Sequence, residues 1–259
     1  MKGGIDMYQT WDTPNITYSR LYADMLRQVH MLIAGATGSG KSTVVNGMIH
    51  AALKDSPARV GFILIDPKGC ELAEYAALPH VIDYANRPAD IPRALRGAVA
   101  LMNNRLADMK RRRLREYDGS DVYVIIDELM PIMARPDIKK ACYSPLLDLL
   151  ALARAAHIHV VACTQSPVAA VIPTPLKCNF DSRLALRTAS AQDSRNIIGA
   201  RGCEALPNPV IERRAYGYYR RGADTDLYQL PRVEDAERRR VIEYWEKARP
   251  RRHLFKPAV

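Results

Sequence analysis

Val29-His30-Met31-Leu32-Ile33-Ala34-Gly35-Ala36-Thr37-Gly38-Ser39-Gly40-Lys41-Ser42 joins a short apolar run to a glycine-rich loop. The run is bounded by glycine and reads as a buried strand. Residues 42–53 read as the helix that follows. The loop fits G-x-x-x-x-G-K-S in full, and a place between strand and helix is the context in which that pattern cradles phosphate. Its glycines let backbone N–H groups turn inward around phosphate oxygens. The helix behind it points a partly positive N-terminus at the same anion. The pattern therefore predicts ATP held by Gly35, Ala36, Thr37, Gly38, Ser39, Gly40, Lys41, Ser42 and Thr43. Lys41 would reach the β- and γ-phosphates, and the Ser42 hydroxyl would ligate Mg²⁺.

Outward from the loop, strands alternate with helices. A second buried strand, Val60-Gly61-Phe62-Ile63-Leu64-Ile65, ends at Asp66-Pro67-Lys68. A long helix is expected over 90–115, where Ile91, Leu95, Ala98, Met102, Leu106 and Met109 fall on one face. A third strand, Val122-Tyr123-Val124-Ile125-Ile126, runs into Asp127-Glu128. A Leu- and Ala-rich helix over 145–156 precedes a strand at 158–163 that ends at Thr164-Gln165, and a fifth strand is expected at 182–187. Segments 215–219 and 226–230 would pair as a hairpin around Gly222, and a charged helix would close the chain over 233–248. Such alternation implies an α/β fold: a mainly parallel sheet with helices on both faces. Ligands of these sheets bind at the carboxyl ends of the strands, where every polar cluster named here lies.

Each strand-end residue has a chemical reading and a plainer one. Asp127 is placed to anchor Mg²⁺, and Glu128 to take a proton from an attacking water; both could instead open a turn. Gln165 both donates and accepts hydrogen bonds, so it suits sensing the γ-phosphate or its water, or it starts a turn. Asp66 could serve the site or cap a helix near Cys70. Phosphoryl transfer calls for a further cation, and Arg154, Arg187 and Arg195 are candidates, against the surface ion pairs that arginines usually form. The basic run Lys110-Arg111-Arg112-Arg113-Leu114-Arg115 is either a solvated helix end or a contact for a DNA backbone.

Composition narrows the setting. The chain has 259 residues, 48% of them hydrophobic, enough for one large α/β core. A net charge of +10 favours a polyanionic partner. Cys70, Cys142, Cys163, Cys178 and Cys203 form no C-x-x-C pair, which argues against a disulfide framework or zinc site and for reduced thiols. No apolar run is long enough for a membrane helix, and the start carries no signal pattern, so a cytoplasmic protein is expected.

The order of these blocks resembles the motor domain of the FtsK/SpoIIIE DNA translocases, within the HerA–FtsK group of RecA-like ATPases. Beyond the phosphate loop, the resemblance rests on Leu64-Ile65-Asp66-Pro67-Lys68-Gly69-Cys70-Glu71-Leu72 with Leu78-Pro79-His80-Val81-Ile82. It continues through Ile125-Ile126-Asp127-Glu128-Leu129, Ala153-Arg154-Ala155-Ala156-His157-Ile158-His159 and Ala162-Cys163-Thr164-Gln165-Ser166-Pro167. Asn179-Phe180-Asp181-Ser182-Arg183-Leu184-Ala185-Leu186-Arg187 and Asp193-Ser194-Arg195-Asn196-Ile197-Ile198 complete it.

The resemblance implies a RecA-like P-loop NTPase that assembles as a homo-oligomeric ring, usually a hexamer, around double-stranded DNA. ATP would be hydrolysed at subunit interfaces, with a neighbour's arginine completing each site. Arg154 matches the family's helix-to-strand block and is the first choice for that finger, with Arg195 second. Ser166 stands where the family commonly has arginine. The expected organisation is a lead-in at 1–27, a motor domain at 28–232 and a C-terminal helix with a basic tail at 233–259. The short lead-in, with no anchor, linker or winged-helix domain apparent, points to a stand-alone motor of a mobile element or DNA-transfer system. The alternatives are a protein-moving ATPase related to type VII secretion motors and a nucleotide-dependent assembly module.

Overall fold

The computed structural model describes residues 20–212 and 214–248. Trp11 and Tyr18 of the lead-in and Arg249, Arg251 and Arg252 of the tail lie outside them. In chain order the elements are α1 (Arg20–Leu26), β1 (His30–Ala34), α2 (Lys41–Ala52), β2 (Val60–Ile65), β3 (Val81–Ala85), α3 (Ile91–Arg112) and β4 (Asp121–Ile126). There follow α4 (Met130–Met133), α5 (Pro136–Leu152), β5 (Ile158–Thr164), α6 (Thr174–Lys177), β6 (Ser182–Leu186), α7 (Ala191–Ile198), α8 (Pro209–Glu212), β7 (Ala215–Arg221), β8 (Asp224–Leu230) and α9 (Asp235–Ala248).

The strands form one eight-stranded sheet in the order β3-β2-β4-β5-β1-β6-β7-β8. Every pairing from β3 to β6 is parallel, and β7 and β8 add an antiparallel hairpin. Period-two alternation divides the strands between two cores. Met31, Ile33, Phe62, Leu64, Tyr123 and Ile125 pack with Met25, Val44, Met48 and Trp245 on the face covered by α1, α2 and α9. Leu32, Ile63, Ile65, Val122, Val124 and Ile126 pack with Leu95, Met102, Leu146 and Leu149 of α3 and α5 on the other. Both faces are therefore buried, which is why β1, β2 and β4 read as continuous apolar runs.

Several details differ from the sequence reading. β3 was not anticipated: Val81-Ile82-Asp83-Tyr84-Ala85 is an edge strand whose three central residues are only half-buried, so it lacks the apolar run that marked the others. The helix expected from 145 begins at Pro136. Proline favours a helix's first turn; Pro136 fills that position, and Pro145 lies inside. An internal proline costs about 3 kcal/mol, and burial of Cys142, Leu146, Leu149 and Leu150 on the same helix works against that cost. The long helix stops at Arg112 because Arg113 turns left-handed at φ 57. The late hairpin forms as expected, with Gly222 at φ 58 in its turn. Its outer strand, β8, is exposed from Asp224 to Leu227.

Candidate nucleotide site

The loop after β1 is pinned between the ends of two neighbouring strands. The Gly35 N–H donates to the Thr164 carbonyl at 3.2 Å, and the Ala36 N–H to the Arg187 carbonyl at 2.8 Å. Gly40 caps α2 at φ 101, and a Cβ there would lie 2.9 Å from Cβ of Ala215. Only glycine meets both demands. Gly35 is confined differently: an added Cβ would come within 2.6 Å of Ser39 Oγ and 2.7 Å of Leu186 Cβ.

The loop forms one wall of a cleft of about 350 Å³ at the carboxyl end of the sheet. Thr37, Gly38, Gly40, Lys41, Ser42 and Thr43 line it, opposite Asp127, Glu128 and Gln165. Lys41 Nζ donates to the carbonyls of Gly35 (2.7 Å) and Ala36 (3.0 Å). Burial holds its pKa below the usual lysine value, so an anion that exchanged for those carbonyls would restore favourable charge.

Asp127 and Glu128 continue β4 and are both buried. Burial, reinforced by Asp66 and Glu71 nearby, raises the Asp127 carboxyl to about 6. Glu128 is held by backbone. Its Oε1 accepts the Met130 N–H at 3.2 Å, and both its oxygens accept the Gln165 N–H at 3.2 Å. The Gln165 side chain in turn accepts from the Thr37 hydroxyl at 2.7 Å. Thr37, Gln165 and Glu128 thus make one hydrogen-bonded path from the loop, across the end of β5, to the end of β4. The Ser42 hydroxyl and the Asp127 carboxylate face the cleft together with Thr37, Thr43 and Glu128. Ser42 and Asp127 alone would suffice for Mg²⁺, which keeps most of its ligands as water and phosphate.

The candidate arginines lie apart. Arg154 is exposed on the turn before β5, at the amino end of the sheet, where its charge helps depress the pKa of His30 at the start of β1. Arg195 is exposed on α7 and donates to Gln192. Arg187 serves the loop through its carbonyl. None of their side chains lines the cleft. In the basic run, Arg111 and Arg112 pair with Asp108, and Arg112 also with Asp118, which favours the reading of a solvated helix end for these two.

Asp66 caps no helix. Fully buried, it accepts the N–H groups of Lys68 (3.2 Å), Gly69 (2.9 Å) and Leu72 (3.0 Å) and so folds the turn after β2. That turn brings Lys68 and Glu71 into the cleft, and Pro209 and Val210 of α8 close another side. Glu71, Pro209 and Val210 were not foreseen. Glu71 sits near a strand end, which was a usable signal; α8 reaches the loop through tertiary packing alone and had none.

Comparison with known proteins agrees with this geometry. The FtsK/SpoIIIE family matches residues 11–219. The chain is 36% identical over 215 residues to the DNA translocase FtsK of Lactiplantibacillus plantarum, covering 74% of this chain and 26% of that protein. It is 36% identical over 211 residues to that of Mycobacterium tuberculosis, covering 71% and 25%. The chain thus spans about a quarter of the length of these relatives. Among solved structures, the pCW3 conjugation coupling protein TcpA with ATPgS superposes with a TM-score of 0.72 at 21% identity, over 85% of this chain and 66% of that one. The cytoplasmic domain of the Thermomonospora curvata type VII secretion ATPase EccC gives 0.68 at 20% identity, over 83% and 28%. These two likenesses establish the fold, an α/β P-loop ATPase architecture.

Proposed function

Because the chain belongs to the FtsK/SpoIIIE family, we propose that this ATPase module binds Mg-ATP in the cleft and spends hydrolysis on moving double-stranded DNA. The observation that carries the reading is the path Thr37–Gln165–Glu128, which ties the phosphate loop to the acid beside it. Loop amides and Lys41 bind the phosphates. Ser42 and Asp127 would hold Mg²⁺, which draws charge from the phosphate oxygens when bound. Glu128 accepts the proton of the water that attacks the γ-phosphorus, giving ADP and inorganic phosphate. Gln165 reports the state of the γ-phosphate to Glu128 and Thr37 through bonds it already makes.

The active form we propose is a homo-oligomeric ring, a hexamer, with Arg154 of one subunit serving the cleft of the next and Arg195 as the second choice. What supports a role between subunits is that Arg154 stands at the opposite end of the sheet from its own cleft. The net charge of +10 supports a duplex DNA partner. Among the described residues no helix is long and apolar enough to cross a membrane, and we infer a cytoplasmic site of action. We take the setting to be a mobile element or DNA-transfer system.

The test is ATPase rate and oligomeric mass, with and without long duplex DNA. Stimulation several-fold by DNA, falling as salt rises, is expected; no stimulation at low salt overturns the reading. The second reading, a protein-moving ATPase, draws on the shared fold with EccC. The higher identity to the DNA translocases weighs against it, and DNA-insensitive turnover with peptide-induced assembly would establish it. Negligible turnover in every condition would leave a nucleotide-dependent assembly module.

A further inference from the structure

The cleft has a charge problem that the residues assigned so far leave open. Mg-ATP brings several negative charges, and Glu71, Asp127 and Glu128 already line the walls. Among the described residues the basic side chains lining the cleft are Lys41 and Lys68. Lys41 sits at the base of the loop, and every candidate arginine is elsewhere. Lys68 has an exposed side chain, and among the described residues its ammonium has neither an ion-pair nor a hydrogen-bond partner.

Its placement is fixed from below. Asp66, 0% exposed, binds three backbone N–H groups with its two oxygens, and Gly69 supplies the left-handed φ of 71 that lets the chain reverse. A carboxylate buried with three donors is a stiff support. β2 pairs with β4 in a register that sets Ile65 beside Ile126, so Asp66 and Asp127 leave the sheet side by side. Along the carboxyl edge the order is phosphate loop, Gln165, Asp127 with Glu128, then Lys68, following β1, β5, β4 and β2. A phosphate chain gripped at one end by the loop and extended along this edge would bring its terminal group toward Lys68. The ammonium already acts electrically on both neighbours: it helps lower the pKa of Lys41 and opposes the rise at Asp127.

We propose that Lys68 is a second phosphate cation in this chain's own cleft, contacting the terminal phosphoryl group of ATP, and that the Asp66 turn presents it there. This rests on the cleft being the Mg-ATP site. Lys68 therefore distinguishes a triphosphate from a diphosphate, whereas Lys41 holds both.

The measurement is the affinity of the full chain for ATPγS and for ADP, each with Mg²⁺, by calorimetry, for wild type, Lys68→Ala and Lys68→Arg. Lys68→Ala should lose about tenfold in ATPγS affinity, the size of one charge-assisted contact, with ADP affinity unchanged within about twofold by the same reasoning. Lys68→Arg should keep the preference for ATPγS. An equal loss for both nucleotides, or no loss for either, overturns the proposal and leaves Lys68 as a counter-ion to the acidic wall. Wild type that binds neither nucleotide would instead remove the premise, the nucleotide site itself. The Lys68 side chain is exposed, so melting temperatures of all three proteins should coincide and exclude misfolding.

Discussion

Both carboxylate oxygens of Glu128 accept the backbone N–H of Gln165 at 3.2 Å. The acid at the end of β4 is therefore oriented by the strand next to it, and any movement of Gln165 reaches Glu128 without an intermediary. A general base needs such fixed geometry, since proton transfer depends on distance and alignment.

Glu128→Gln should retain nucleotide binding and lose about 100-fold or more in turnover. The amide still accepts the Gln165 N–H through its oxygen but takes no proton from water. Steady-state ATPase beside binding of a fluorescent ATP analogue checks this. Turnover like wild type would remove Glu128 from the role of base.

Lys41→Ala should abolish measurable nucleotide binding while costing little stability. The bonds it removes run to carbonyls of its own loop; each charge-assisted bond of that kind contributes about 1.5–3 kcal/mol, and the cost of burying the ammonium offsets it. Equal melting temperatures with lost binding is the expected pair of results.

Arg154→Ala should bind ATP as well as wild type, since Arg154 is remote from its own cleft, yet lose DNA-stimulated hydrolysis. Mixing it with Lys41→Ala should restore part of the activity, because a Lys41→Ala subunit lends its Arg154 to the intact cleft of an Arg154→Ala neighbour. No recovery on mixing, with each variant assembled, would count against the finger between subunits.

Acid should unfold this protein through its buried histidines. His30 Nδ1 accepts the Val160 N–H at 3.0 Å, and burial lowers its pKa from 6.5 to about 3. His80 donates from Nε2 to the Asp55 carbonyl at 2.9 Å, and burial takes it to about 4. A second proton on His30 breaks the bond to Val160, and on His80 it creates a buried donor with nothing to meet. Folded pKa values below the unfolded value mean that the unfolded chain binds protons first. Stability is thus fully present above about pH 6.5 and falls toward pH 4, with a slope of about 1.4 kcal/mol per pH unit for each histidine. Urea titrations followed by circular dichroism across that window check the sign; stability unchanged from pH 7 to 4.5 would refute it.

Gly47→Ala should destabilise although alanine is the better helix former. The Tyr22 ring lies directly over Gly47, where a Cβ would collide with its edge. Overpacking of this sort costs about 1–3 kcal/mol, more than the roughly 1 kcal/mol that alanine gains. The melting temperature reads the outcome.

The phosphate loop, Asp127, Glu128 and Gln165 were legible because their signals are local: an apolar run, a glycine pattern, a polar residue at a strand end. Strands buried on both faces announce themselves in the same way, and β1, β2, β4 and β5 were found nearly residue for residue. β3 was missed because Asp83 and its half-buried neighbours interrupt the apolar pattern. The start of α5 was placed late because the Leu- and Ala-rich stretch begins near residue 145, whereas the apolar residues upstream, Ile138 and Cys142, are sparse. Pro209 and Val210 could not be found at all, because what places them beside Gly38 is packing between segments distant in the chain. The Asp66 turn lies between these cases. Its residues were noticed, but three backbone bonds to one carboxylate leave no mark in sequence.

The outer strand β8 has a consequence for how copies of this chain meet. Asp224 and Asp226 both lie on its exposed stretch, the latter within 3.8 Å of Arg221. A second molecule that docked its own strand there would have to dehydrate both carboxylates, a penalty that natural sheets use to stay separate. Growth into a continuous ribbon is thereby discouraged, and any contact between copies is left to helices and loops.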